Sequence, residues 1–402
     1  MNRKLLIIIC VSLFLLIVVS LGFLFFKKDS EGNSVLSNVL PFGNPGSETI
    51  NFIPGGNTDA GFRDPESSPL TNLGEGQLRR ISETPTTGSS IFERSGETLV
   101  RFVEKATGHI YEVNLESGER TRVTNTTVAK MQEALWGKSS DSIILRAVKN
   151  GMYETLLGQI SSSTATTTRE LKTTDLAQNI QNIVYSPKKD KIFQTTITFQ
   201  GIEGSVTNQF GTNPRLVWNY PATEWNAEWP AENIISLTTK AAHGIDGFLF
   251  FLNPNTKSFE HIFTEKGLVT RISPDGNKII YSSSKDKITG TYVKNIKENS
   301  ELSGGFSTIA DKCLWKNNNE ILCAIPKESL PEDTPDSWYK GSISFNDKLW
   351  KTEILTGETE VIADLSSSDG AIDAIHLSIS PNEKFVVLTN KKDGRLWAIE
   401  LP

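Results

Sequence analysis

The chain has 402 residues, of which 37% are hydrophobic and 22% charged, with a formal net charge of −6 and three cysteines. That length admits two ordinary domains or one large all-β body. The cysteine count excludes a disulfide-dense scaffold, and the abundance of Thr, Ser, Ile and Val favours folded β-structure over disorder.

Four positive charges, Arg3, Lys4, Lys27 and Lys28, flank an N-terminal apolar run, so residues 29–402 go from −6 to −10 once these are set apart, with no Lys/Arg-rich stretch. A polyanion is repelled by such a body, and nucleic acid is not expected as a partner. Leu5 to Phe26, LLIIICVSLFLLIVVSLGFLFF, is 22 residues without a charge, about 33 Å as a helix and enough to span a bilayer. A cleaved signal has a shorter apolar core followed by a small-x-small site. Here Ser20-Leu21-Gly22 is followed by further apolar residues, so residues 1–28 read as an uncleaved transmembrane signal-anchor. Arg3 and Lys4 on one side balance Lys27 and Lys28 on the other, so orientation rests on the export tendency of an N-terminal apolar segment. That places the N-terminus inside and the body outside the cytoplasmic membrane. Cys10 lies within this run, without lipobox surroundings. Residues 29–75, with GNPGS, PGGNTDAG and DPESSP, lack apolar periodicity and read as a flexible linker.

From residue 76 onward one outline recurs: an apolar approach, an anchor residue, a polar turn and a strand-like run. The anchors are Phe92, Trp136, Ser186, Trp229, Ser273, Trp315 and Ser380, spaced by 44, 50, 43, 44, 42 and 65 residues. A period near 44 with strands between turns is the signature of four-stranded propeller blades. The fold class is therefore all-β, a seven-bladed β-propeller over residues 76–402. The long last interval holds PKESLPEDTPDSWYKGS, a loop insertion within one blade. In the Ser-Pro-Asp-Gly stretch, proline ends the ladder, Asp275 bonds the turn and Gly276 permits the reversal. After Ser380 the chain has room for only two further strands, KFVVLTN and RLWAIEL. The RISE sequence at 80–83 matches the blade-ending RVTN, IFTE and VIAD, so residues 77–83 are expected to complete the seventh blade.

These repeats resemble the TolB-like (WD-type) propeller family, whose blades carry the Ser-Pro-Asp-Gly outline. The resemblance covers residues 77–402 by period, with Ser-Pro at three anchors and the full tetrapeptide at one. It implies an extracytoplasmic propeller that works by binding proteins of the cell envelope. The chain lacks the separate α/β domain that precedes the propeller in TolB itself, which sets it apart from a Tol-system role. Similar propellers precede the hydrolase domain of prolyl-type peptidases, but no Gly-x-Ser-x-Gly elbow occurs here.

Cys313 and Cys323 flank the hairpin CLWKNNNEILC. If Lys316 pairs with Glu320, the cysteines lie opposite each other and can form a cross-strand disulfide or pack as two small hydrophobes. His109, His243, His261 and His376 fall in different repeats without metal-ligand spacing, and neither a metal nor a cofactor is expected. Asn125-Thr126-Thr127 is an isolated glycosylation triplet. The first strands line the central channel, where Gln132, Asn182, Arg271, Asp311 and His376 form the candidate ligand-binding set. The expectation is a non-enzymatic interaction or scaffold module with unidentified protein partners. The alternative is a glycan binder, hydrolase or lyase with its site at the channel mouth.

Overall fold

A computed structural model describes residues 76–402 apart from 150–151, 162–168, 286–288 and 368–369. The expected anchor and linker lie outside the described residues. Among those described, no helix is long and apolar enough to cross a membrane. Seven antiparallel sheets of four strands each form the blades of a propeller. Six are continuous in sequence, at 86–122, 131–175, 180–220, 225–266, 269–303 and 313–364. The seventh joins Ala374–Ile379, Phe385–Asn390 and Leu396–Glu400 to Leu78–Arg80 from the start of the body. We call the strands of a blade a to d from the axis outward.

The ring closes as the sequence predicts. Leu78, Arg79 and Arg80 pair antiparallel with Ile399, Ala398 and Trp397. The ladder is extended at both ends by Gly76 N–H donating to Glu400 O (2.9 Å) and Ile81 N–H to Leu396 O (2.7 Å). The regular strand is shorter than 77–83, because Ser82 turns its hydroxyl to accept from Leu396 N–H (2.8 Å) instead of continuing the ladder.

The apolar core is divided among the joints between blades, because each sheet is apolar on both faces and must bury each face against a neighbour. Phe193, Val206 and Trp218 of blade 3 pack on Trp225, Trp229 and Leu237 of blade 4. Phe385 and Val387 of blade 7 pack on Val100, Phe102 and Val113 of blade 1, with Ile81 in the same cluster. Six of the seven anchor residues act in one of two ways. Trp136, Trp229 and Trp315 are buried in blade joints. Where the anchor is serine, its hydroxyl knots the a–b turn. Ser273 Oγ accepts from Lys278 N–H (2.9 Å) and donates to Asp275 (2.7 Å). Ser186 and Ser380 repeat the pattern with Asp190 and Asn382. Gly276 has φ of 74° in this turn, which favours glycine, and a Cβ there would displace the tip of Ile234 in the preceding blade.

Antiparallel order places the b–c loops and the crossovers between blades at one end of the ring, here called the mouth face. The a–b and c–d turns lie at the other, the turn face. Gly76 bonds Glu400, which pairs with Phe385 just after the a–b turn of blade 7. The chain therefore enters the body at the turn face.

Candidate functional site

The insertion read from the sequence lies in the b–c loop of blade 6, between Glu320–Pro326 and Asp347–Glu353, with a single helical turn at Asp336–Tyr339. It folds over the mouth face. Trp338 and Phe345 are buried with Val269, Ile309 and Ala310, and Ala241 and Ile375 pack at the edge of the same cluster. Residues of blades 4, 5 and 7 thus meet beneath one loop of blade 6. At its far side, Asp336 accepts from His243 N–H (2.7 Å), and Thr334 O accepts from the Thr289 hydroxyl (3.1 Å).

The insertion is latched by a buried ionic cluster. Lys312, Asp347 and Asp373 are all fully buried. The Lys312 ammonium lies 2.7 Å from Asp347 and also bonds Asp373. Asp373 further accepts from Trp338 Nε1–H (2.9 Å) and Phe345 N–H (3.1 Å), and Asp347 from Ala374 N–H (2.6 Å). Asp347 Oδ1 has no partner. One ammonium in contact with two carboxylates, with Lys391 acting on Asp373 only from across the Trp338 ring, leaves the buried carboxylates under-compensated, and such a charge is costly. Burial accordingly pushes the Asp347 carboxyl up to about 6, against the pull of Lys312.

Beside the cap, the channel mouth gathers charged groups from several first strands. The Arg271 guanidinium bonds Glu228 of blade 4 and lies 3.1 Å from Asp311. Tyr339 of the cap donates its hydroxyl to the other Asp311 oxygen (2.7 Å). Desolvation of its hydroxyl against the mouth, reinforced by Asp311, raises the Tyr339 phenol well above its ordinary value, although the residue as a whole is 43% exposed. Burial also raises the Glu228 carboxyl, with Arg271 opposing. Glu133 of blade 2 holds Arg146 at 2.8 Å, and Arg146 donates to Ile180 O of blade 3 (2.8 Å). His376 of blade 7 sits at φ 52° in a strand irregularity between Ile375 and Ser378. It lies within the field of Arg271, Asp311 and Glu133. Desolvation at the mouth and the Arg271 charge push its imidazole below the usual value, while the side chain keeps access to solvent.

Of the five residues read from the sequence, Arg271 and Asp311 form a direct pair and His376 faces them. Asn182 instead donates to Trp225 O (2.9 Å), tying blade 3 to blade 4. Gln132 turns back to Lys130 O (3.3 Å). Sequence reasoning took every second residue of a first strand as lumen-facing and so passed over Glu133 and Glu228. The pairing shifts between Glu228 and Ala231, across the anchor Trp229, and between Met131 and Glu133, at Gln132, and such bulges break the alternation. Tyr339 falls inside the loop insertion, and nothing local in the sequence says where that loop folds. Cys313 and Cys323 pair in register and are joined as a disulfide, with Cα atoms 4.1 Å apart. Lys316 N–H bonds Glu320 O, so alternation along the hairpin makes Cys313 and Cys323 a non-hydrogen-bonded pair, where Cα atoms come closest. No three His, Cys, Asp or Glu side chains among the described residues are grouped to hold a metal ion.

No family model and no curated sequence matches the chain. Its fold is similar to that of an oligogalacturonate lyase from Vibrio parahaemolyticus, with TM-score 0.56 and 12% identity over 81% of this chain and 93% of the other. An oligogalacturonate lyase in complex with manganese gives TM-score 0.50 and 11% identity over 82% and 99%. TolB from Acinetobacter baumannii gives 0.42 and 12% over 78% of each chain. At these identities the likeness is one of fold: the chain is a seven-bladed β-propeller distantly similar to oligogalacturonate lyase and TolB.

Proposed function

We propose that this chain is a membrane-anchored propeller displayed on the outer side of the cytoplasmic membrane, where it acts as a protein-interaction or scaffold module of the envelope. The observation that carries this reading is the state of the mouth charges. Arg271 is held by Glu228 and Asp311, Asp311 is capped by Tyr339, and Glu133 is spent on Arg146. A site for an anionic sugar needs an arginine free to take the sugar carboxylate, and here that arginine is already engaged twice. The 22-residue apolar run supports the anchor, and the Cys313–Cys323 bridge suits an oxidising compartment.

Protease added to cells with permeabilised outer layers should release a soluble fragment beginning within 29–75. Protection of the body would overturn the outside orientation, and a mature chain starting near Phe23 would point to a cleaved signal. The second reading, a glycan-active site at the mouth, is favoured by His376, an imidazole within the field of Arg271, and by the fold likeness to the lyases. Incubation with oligogalacturonate decides it. Unsaturated sugar ends that form with the native chain and vanish with His376→Ala would replace the interaction reading with an enzymatic one.

A further inference from the structure

Large apolar side chains are exposed on the mouth face where blades 3 and 4 meet. Phe199, at the tip of the b–c turn of blade 3, is fully exposed. Ile197 and Tyr220 lie in one cross-strand row with Ile202 between them, and both are exposed while Ile202 is buried. Ile245 and Phe248, at the corresponding loop of blade 4, are exposed as well. Ring contacts carry the aromatic part of the rim from blade 3 to blade 4: Tyr220 lies 6.5 Å from Phe250, Phe250 5.3 Å from His261, and His261 6.3 Å from Phe248. Tyr220 and Pro221 also border a groove of ≈150 Å³ with Glu203. Glu203 is exposed, and no ion pair engages it among the described residues. Apolar side chains scattered singly on a surface need no explanation, whereas a contiguous rim marks a docking surface.

We propose that the mouth-face rim of blades 3 and 4 docks a partner polypeptide that presents apolar side chains next to a lysine or arginine. The apolar part would cover Phe199, Tyr220 and Phe248. The cation would reach Glu203 and the faces of the flanking rings, a pairing that aromatic quadrupoles favour. The charge of −10 on residues 29–402 attracts such a partner over longer range. This inference rests on the interaction-module reading and gives it a place and a partner chemistry.

The test is selection of a phage-displayed random-peptide library on the immobilised full-length chain in detergent. Rebinding is then measured to Phe199→Asp, to Glu203→Lys and to Asp311→Asn. Phe199 is fully exposed, so Phe199→Asp should melt with the parent protein. We expect selected peptides to share an apolar residue beside Lys or Arg. They should bind at least tenfold more weakly to Phe199→Asp and Glu203→Lys, and equally well to Asp311→Asn. Peptides that ignore the two rim variants but are lost with Asp311→Asn would overturn the rim site and leave the interaction reading intact. Failure to select any peptide would overturn both. Liposome flotation of the native chain on added phosphatidylglycerol vesicles, abolished by Phe199→Asp, would assign the rim to lipid instead.

Discussion

Deleting residues 77–83 tests ring closure directly. The cut removes the pairing of Leu78, Arg79 and Arg80 with blade 7 and the bonds of Ile81, Ser82 and Glu83 to Leu396 and Arg395. It also removes Ile81, 3% exposed, from the joint between blades 7 and 1. Five or six net hydrogen bonds at about 0.5–1.5 kcal/mol each and a buried isoleucine at about 1.5–3 kcal/mol give roughly 4–12 kcal/mol. A typical fold has a stability of only about 5–15 kcal/mol, so the loss is comparable to the whole. The strand Leu396–Glu400 would also be left as an unpaired edge, inviting aggregation. Thermal melts and size-exclusion profiles of the full-length chain in detergent should show a large drop in midpoint or aggregation. Deletion of 30–70, a longer cut, should leave the melt unchanged. If both truncations melt alike, the N-terminal strand does not close the ring.

Lys312→Met leaves Asp347 and Asp373 facing each other in a dry site, and should cost about 3–5 kcal/mol in denaturant titration while raising protease sensitivity within the insertion. Burial raises the Asp347 carboxyl from 3.8 to about 6, so the folded chain binds a proton that the unfolded chain releases. Stability should therefore rise as pH falls through 6 towards 4, by at most about 3 kcal/mol, and Asp347→Asn should flatten that limb of the pH profile. Tyr339→Phe keeps the ring but removes the hydroxyl bond to Asp311. It should cost about 1–2 kcal/mol and speed amide exchange across 334–342 without altering exchange in the blades. Replacing Cys313 and Cys323 together by alanine opens a loop of separation 10 and should cost about 2–3 kcal/mol, with the propeller circular-dichroism spectrum unchanged.

What could be read in advance follows the range of the forces involved. Turn chemistry is local, so Ser273, Pro274, Asp275 and Gly276 declare their hairpin in four letters, and repetition of that hairpin reveals the blade count. The opposition of Cys313 and Cys323 is likewise arithmetic about a short turn. The closing strand was legible because the seventh blade visibly lacked one. The mouth was less so. Its members come from blades 2, 4, 5 and 7 and from the residues just ahead of blade 6, and which residue of a first strand reaches the lumen depends on bulges that have no signature in MQEALW or WNAEWPA. The Lys312 cluster was hidden for a different reason. Its three members lie 35 and 26 residues apart, each looks like an ordinary surface charge, and only the folding of Trp338 and Phe345 over them makes them internal.

The two ends of the cap are themselves joined: Lys327 N–H donates to Asn346 O (2.8 Å), and Pro326 pairs with Asp347. A segment whose termini already meet can be exchanged during evolution for another of different length without moving the strands that carry it. The ring, however, keeps the charges of the latch, since Lys312 precedes blade 6, Asp347 opens its third strand and Asp373 precedes blade 7. A descendant that lost Trp338 and Phe345 while retaining Lys312 and Asp373 would expose an ion pair arranged for a dry interior. Homologues should therefore divide into two groups, those carrying the loop together with all three charges and those in which loop and charges have disappeared jointly.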